Sequence, residues 1–87
     1  MESDVFKALS DSNRLKIVRM LSSGELCACK ILEEFNIRQP TLSHHMSILT
    51  KCGLVTSRKE GTWAYYSLNT DCIDEMIALF ESLKNDS

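Results

Sequence analysis

Apolar side chains recur at helical spacing in five stretches of the chain, and two runs rich in β-formers stand between the fourth and fifth. Val5, Phe6 and Leu9 mark one face of a short first helix. Asp11 is placed to cap a second, whose apolar positions are Leu15, Val18 and Leu21 and which breaks at Ser22-Ser23-Gly24. A third is expected from about Cys27 to Phe35, with Ile31, Leu32 and Phe35 inward, before a turn through residues 36–39. Pro40 suits the first turn of a fourth helix, where its missing N–H costs little. Leu42, Met46 and Leu49 line one face of that helix, and Gly53 stops it. The runs at 54–59 and 62–68 predict a β-hairpin with Glu60-Gly61 as its turn. A last helix, capped by Asn69 or Thr70, carries Ile73, Met76, Ile77, Phe80 and Leu83 in an i, i+3, i+4, i+7 series.

Helix, helix, helix, turn, helix, hairpin, helix is the order of a winged helix-turn-helix, a mainly α fold with a β-hairpin. The middle helices and the hairpin can close a small core. The first and last helices are left with apolar stripes: Val5, Phe6, Leu9, Ile73, Met76, Ile77, Phe80 and Leu83. Pairing with a second copy would bury both, at roughly 1.5–3 kcal/mol for each large side chain fully covered. The alternative is that the last helix folds back onto its own core.

Composition narrows the choices. Residues 1–87 are long enough for one domain and too short for an added catalytic or ligand-binding module. No run approaches the length of a membrane span, and the acidic start Met1-Glu2-Ser3-Asp4 precedes no signal-peptide core. A cytoplasmic protein is expected, with cysteines kept for packing or thiol chemistry. The net charge of −2 is unevenly spread. Residues 36–62 hold Arg38, Lys51, Arg58 and Lys59 against Glu60 alone, and the remainder is acidic. A local positive field in an acidic molecule fits double-stranded DNA as partner, with weak non-specific binding.

On the fourth helix, Leu42, His45, Met46 and Leu49 fall on the inner side. Thr41, Ser43, His44 and Ser47 fall on the outer side. Short hydroxyls, an imidazole and the Gln39 amide can bond to base edges and phosphates in a major groove. The DNA candidates are therefore Arg38, Gln39, Thr41, Ser43 and His44, joined by Arg58 and Lys59 beside the hairpin turn. Ser47 reads as a solvated position and His45 as a histidine at the core edge. Trp63, Tyr65 and Tyr66 read as cross-strand packing rather than a base-stacking platform. An enzyme is not expected, since both histidines lie on the DNA-reading helix and no acid partner accompanies them.

At this point the chain resembles the ArsR/SmtB family of metal-responsive repressors. The resemblance runs through Ala8-Leu9-Ser10-Asp11-Ser12-Asn13-Arg14-Leu15-Lys16-Ile17, Gly24-Glu25-Leu26-Cys27-Ala28-Cys29, residues 39–49, Gly53-Leu54-Val55 and residues 58–68. It implies a homodimer that represses its own operon and leaves its operator when an ion binds. No cofactor is implied for DNA binding itself. Glu25-Leu26-Cys27-Ala28-Cys29 looks like the thiolate site of the arsenic- and cadmium-type members, so Cys27 and Cys29 are the candidate metal ligands. Thiolates select soft ions, and the resemblance places As(III) or Sb(III) ahead of Cd(II), Pb(II) and Zn(II).

The arsenic pattern would place a third cysteine where Leu32 stands, so an exogenous thiol, Cys52 or Cys72 becomes the candidate third ligand. Cysteines two apart on a regular helix point about 200° from one another. A shared ion would therefore require the first helical turn to unwind, which would displace the following helix. Two further readings remain open at this stage. The cysteines respond to oxidants or to nothing in a regulator of the same fold, or the domain binds protein instead of DNA.

Overall fold

The computed structural model describes residues 2–85; Met1, Asp86 and Ser87, at the ends of the span expected as one domain, lie outside them. Two short helices open the chain, α1 (Glu2–Leu9) and α2 (Ser12–Leu21). Asp11 separates them in extended conformation, and its carboxylate accepts the N–H groups of Asn13 (2.8 Å) and Arg14 (3.2 Å), closing the α2 N-terminus. The Arg14 N–H bond leads the causes that hold the Asp11 carboxyl below its usual value. The inner residues of α2 are Ile17 and Leu21, with Val18 half-buried and Leu15 exposed. The inner face is therefore rotated by about a quarter of a turn from the expected stripe: Leu21 stays on it, and Ile17, its i−4 neighbour, takes the place of Leu15.

Two residues, Leu26–Cys27, then form a strand, β1, that the sequence reading lacked. The third helix, α3 (Ala28–Leu32), is shorter than expected. Beyond it Glu34 and Phe35 donate three residues back, to Ile31 and Leu32, so the chain continues to Phe35 in tight turns rather than α-helix. The fourth helix, α4 (Gln39–Lys51), begins with Pro40 in its first turn. Gly53 follows at φ +88°, the left-handed conformation that ends a helix without a Cβ clash.

β2 (Val55–Glu60) and β3 (Trp63–Leu68) form the hairpin. Glu60 pairs with Trp63, so the loop is Gly61-Thr62, one residue later than expected. Gly61 at φ +60° supplies the positive φ that a two-residue loop needs at its first position. β1 adds to the other side of β3, giving an antiparallel sheet of order β1-β3-β2 with Leu26 opposite Tyr66 and Cys27 opposite Tyr65. The chain closes with α5 (Thr70–Asn85). Asn69 precedes it, bonding through its N–H to Leu54 and through its side-chain amide to the Gly53 carbonyl at 2.9 Å. That ties the start of α5 to the end of α4.

The core is drawn from four helices, the start of β2 and the residue before it: Val5, Ala8, Ile17, Leu21, Ile31, Leu42, Met46, Leu49, Leu54 and Val55. Val5 thus belongs to the protomer's own core rather than to the outer stripe assigned to it from the sequence. Leu9, Ile73 and Met76 are half-buried against the same core. Phe6, Ile77, Phe80 and Leu83 are not covered; they remain 44%, 50%, 54% and 58% exposed. Phe6 and Phe80 meet edge to face at 5.9 Å, so α1 and α5 present one continuous apolar surface.

Candidate nucleic-acid interface and thiol site

α4 is held from behind and bare in front. Leu42, Met46 and Leu49 anchor its inner side in the core, and His45 is buried beside them. Arg14 of α2 donates from Nε to the Ala8 carbonyl at 2.7 Å and lies 3.1 Å through Nη1 from His45 Nδ1. A guanidinium only donates, so Nδ1 is the acceptor and the imidazole carries its proton on Nε2. The core-edge histidine is thereby one end of a polar strut from α1 through α2 to α4.

The opposite side of α4 is exposed at Arg38, Gln39, Thr41, Ser43 and His44. Ser47 is half-buried, and its carbonyl accepts the Thr50 hydroxyl. Arg38 occupies the N-cap position without a side-chain capping bond. The positive end of the helix dipole therefore faces solvent at the end where these polar groups cluster. Five of the seven sequence-chosen DNA candidates are in this way gathered on one exposed surface.

The other two lie on β2 and differ from each other. Lys59 is exposed. Arg58, though exposed, is paired within its own chain: Nε and Nη2 fork onto the two Glu25 oxygens at 2.9 and 2.8 Å, and Nη1 reaches Glu60 at 2.6 Å. Its guanidinium also stacks over the Tyr65 ring at 4.5 Å. The Arg58 hydrogen bonds hold the Glu25 carboxyl below its ordinary value, and the Glu25 and Glu60 bonds raise the already high value of Arg58. Glu25 was not singled out from the sequence, because nothing local marks a carboxylate whose partner arrives from a distant strand. Trp63 departs from expectation as well. It is 57% exposed rather than packed across the hairpin, and with Gln39 it lines a cavity between α3, α4 and β3.

The thiol site resolves the geometric objection raised by its spacing. Cys27 lies outside α3, at its N-cap, with extended dihedrals (φ −76°, ψ 156°), and its sulfur accepts the Lys30 N–H. Cys29 lies inside α3. The side chains turn towards each other over the start of the helix, and the two sulfurs are joined as a disulfide. No unwinding of the helix is needed to bring them together, contrary to the expectation from regular helical spacing. Cys27 is also the β1 residue opposite Tyr65, and Tyr65 faces Arg58 on its other side. The thiol segment and the wing are thus parts of one sheet.

Cys52 and Cys72 do not join this site. They line a separate cavity of about 160 Å³ between the C-terminal end of α4 and the start of α5, with Glu2 and Glu75 nearby. Burial pushes the Cys72 thiol up, and neighbouring Cys52 and Glu75 push the same way. Among the described residues no cluster of three or more His, Cys, Asp or Glu side chains is placed to hold a metal ion. No described helix is long and apolar enough to cross a membrane.

Comparison with known proteins follows the same lines. Residues 11–57 match the family model described as bacterial regulatory protein, arsR family. An arsenical resistance operon repressor of Staphylococcus aureus is 53% identical over 75 residues, covering 86% of this chain and 72% of that protein. An uncharacterised HTH-type transcriptional regulator of Methanocaldococcus jannaschii is 45% identical over 82 residues, covering 93% and 92%. Among solved structures, the homodimeric winged helix-turn-helix DNA-binding domain of a possible ArsR-family regulator from Mycobacterium bovis superposes with a TM-score of 0.76 at 30% identity, covering 97% of this chain and 78% of that one.

Proposed function

The chain belongs to the ArsR family of bacterial regulatory proteins, and we propose that it is a homodimeric repressor that leaves its operator when As(III) or Sb(III) bridges Cys27 and Cys29. Cd(II), Pb(II) and Zn(II) rank lower, since the described residues gather two sulfurs and no third or fourth donor, short of the set a four-coordinate divalent ion takes. On this reading the whole chain is one cytoplasmic DNA-binding domain that needs no cofactor to bind its operator. Two copies pair through Phe6, Ile77, Phe80 and Leu83, with Leu9, Ile73 and Met76 behind them. The dimer presents two α4 helices to successive major grooves about 34 Å apart. Thr41, Ser43, His44 and Gln39 then meet base edges, while Arg38, Lys59 and the bare α4 N-terminus meet phosphates.

The observation that carries the inducer site is the convergence of the Cys27 and Cys29 sulfurs on a segment hydrogen-bonded to the wing strand. An ion that draws these sulfurs together fixes Cys27 relative to α3. Cys27 pairs with Tyr65, and Glu25 two residues earlier grips Arg58, so the wing moves with the thiol segment. α3 leads through a short turn into α4, so the reading helix shifts too. A coupling of about 1–3 kcal/mol between ion and operator would weaken DNA binding roughly 5- to 150-fold.

The test is fluorescence anisotropy on a duplex from upstream of the protein's own gene, titrated with arsenite after reduction. Release by arsenite in the wild type, lost in Cys27→Ser and in Cys29→Ser, supports the proposal; equal release in both variants overturns it. The disulfide favours one second reading, an oxidant-sensing pair in the same regulator. Hydrogen peroxide would take two electrons from the two thiols, giving the disulfide and two waters. Release by peroxide with no arsenite response would select that reading.

A further inference from the structure

We propose that Glu25 competes with DNA for Arg58: its carboxylate holds the guanidinium in the free protein, and docking of a duplex transfers Arg58 to a backbone phosphate. The inference rests on the repressor reading above and adds to the DNA-contacting set a residue that the free protein keeps closed. Two neighbouring cations on the wing strand β2 are held differently. Lys59 is exposed and, among the described residues, makes no ion pair. Arg58 is half-exposed, yet its Nε–Nη2 edge is occupied by Glu25 and its Nη1 by Glu60. The wing thus sets two cations against two carboxylates, and Glu25 arrives from outside the basic segment 36–62 to complete that balance.

The contact has the form a phosphate would take. A guanidinium fork fits a carboxylate and a phosphate in the same bidentate manner, so the two acceptors exclude each other on one edge. Arg58 reaches Glu25 by lying across the sheet: it pairs in register with Tyr65, and its guanidinium stacks over that ring. Glu25 also accepts the Ser67 hydroxyl at 3.4 Å, so β3 helps to hold it in place. Both partners touch solvent, where a single ion pair is weak and screened. A duplex offers a row of phosphates and releases counterions as each is neutralised. It can therefore displace one carboxylate, and Glu25 sets how much of the binding energy that displacement consumes.

Binding of a fluorescent duplex from upstream of the protein's own gene, and of a random duplex of equal length, is followed by anisotropy over a series of NaCl concentrations. Glu25→Gln should bind both about 3- to 10-fold more tightly at low salt, and its salt slope should steepen by about one per wing. Glu25→Asp keeps the charge but is one methylene too short for the fork, and should tighten binding in the same direction. Arg58→Gln tests whether Arg58 carries the gain. It should cost about tenfold in the Glu25→Gln background, less than about threefold in the otherwise unchanged protein, and should return the slope to its wild-type value. Circular dichroism checks folding, and either Glu25 variant decides the question if the other does not fold.

Unchanged or weaker binding by the folded Glu25 variants would overturn the inference, since the bridge would then only shape the wing. Equal losses for Arg58→Gln in both backgrounds would overturn it too, because the gain would come from the missing carboxylate charge alone. Either outcome leaves the repressor reading intact. Failure of the wild type and every variant to bind any duplex would overturn both.

Discussion

α4 and α5 are both amphipathic, and both leave one side open to solvent, but the two open sides are chemically opposite. On α4 the apolar side is fully used by the core of the same chain, and what remains outside is Arg38, Gln39, Thr41, Ser43 and His44. On α5 the core takes Cys72, Ile73 and Met76, all only partly buried, and what remains outside is Ile77, Phe80 and Leu83. A polar open face is at ease in water and can wait for a polar ligand. A contiguous apolar face of this kind on a small domain marks a surface meant for another protein. Under the proposed function the difference gives the helices distinct tasks, α4 facing DNA and α5 facing a second copy.

The largest expected effect comes from making the two faces alike. Phe80→Asp places a charge in the apolar surface shared by α1 and α5. Sedimentation should show a monomer, and operator affinity should fall by about 10²- to 10⁴-fold, because the second half-site is no longer tethered to the first. Folding should change little, since Phe80 lies outside the core. A dimer that persists with unchanged affinity would break the contrast. The converse substitution is on the hidden side of α4. Leu49→Ala removes a fully buried side chain and should cost about 2–5 kcal/mol in denaturant unfolding, a large share of the stability of a domain this size.

Smaller effects sharpen the polar face. Ser43→Ala and His44→Ala should each weaken operator binding by about 1–3 kcal/mol and relax sequence preference, with little effect on unfolding. Lys59→Gln should weaken all duplexes alike and lower the salt slope by about one. Equal losses on operator and random DNA for Ser43→Ala would reassign that residue from bases to phosphates.

The same contrast explains what the sequence disclosed. Asp11, Pro40 and Gly53 act on their immediate neighbours, so the starts and stops of α2 and α4 were legible from local chemistry. The polar face of α4 was legible because helical periodicity separates it from Leu42, His45, Met46 and Leu49. Two-residue β1 was not, since its existence depends on the free side of β3 arriving beside Leu26 and Cys27. Once β1 is unseen, Cys27 is counted as helical and the two sulfurs are sent in opposite directions. Glu25 and Arg58 were missed as a pair for the same reason. Val5 and Leu15 were misplaced because apolar residues crowd α1 and α2, and periodicity alone does not say which of two adjacent stripes the core will take.

The Glu25–Arg58 link gives the smallest effect and tests whether the thiol segment and the wing behave as one unit. Glu25 has a lowered value in the folded protein, chiefly through the hydrogen bonds from Arg58, against an ordinary value of 4.5. A carboxylate whose value is lowered by folding stabilises the fold fully above its ordinary value, and that contribution fades as the pH drops through the lowered one. Wild type should therefore melt slightly above Glu25→Gln at neutral pH. The gap should close as the pH is taken below 4.5. Both groups are solvent-exposed, so the gap should also shrink in high salt. Hydrogen exchange carries the decisive readout. If the link couples the two segments, Glu25→Gln should speed exchange at the wing strands β2 and β3 as well as at β1. Faster exchange at β1 alone would mean that the wing holds its place without the thiol segment, and the proposed route from ion to wing would lose its footing.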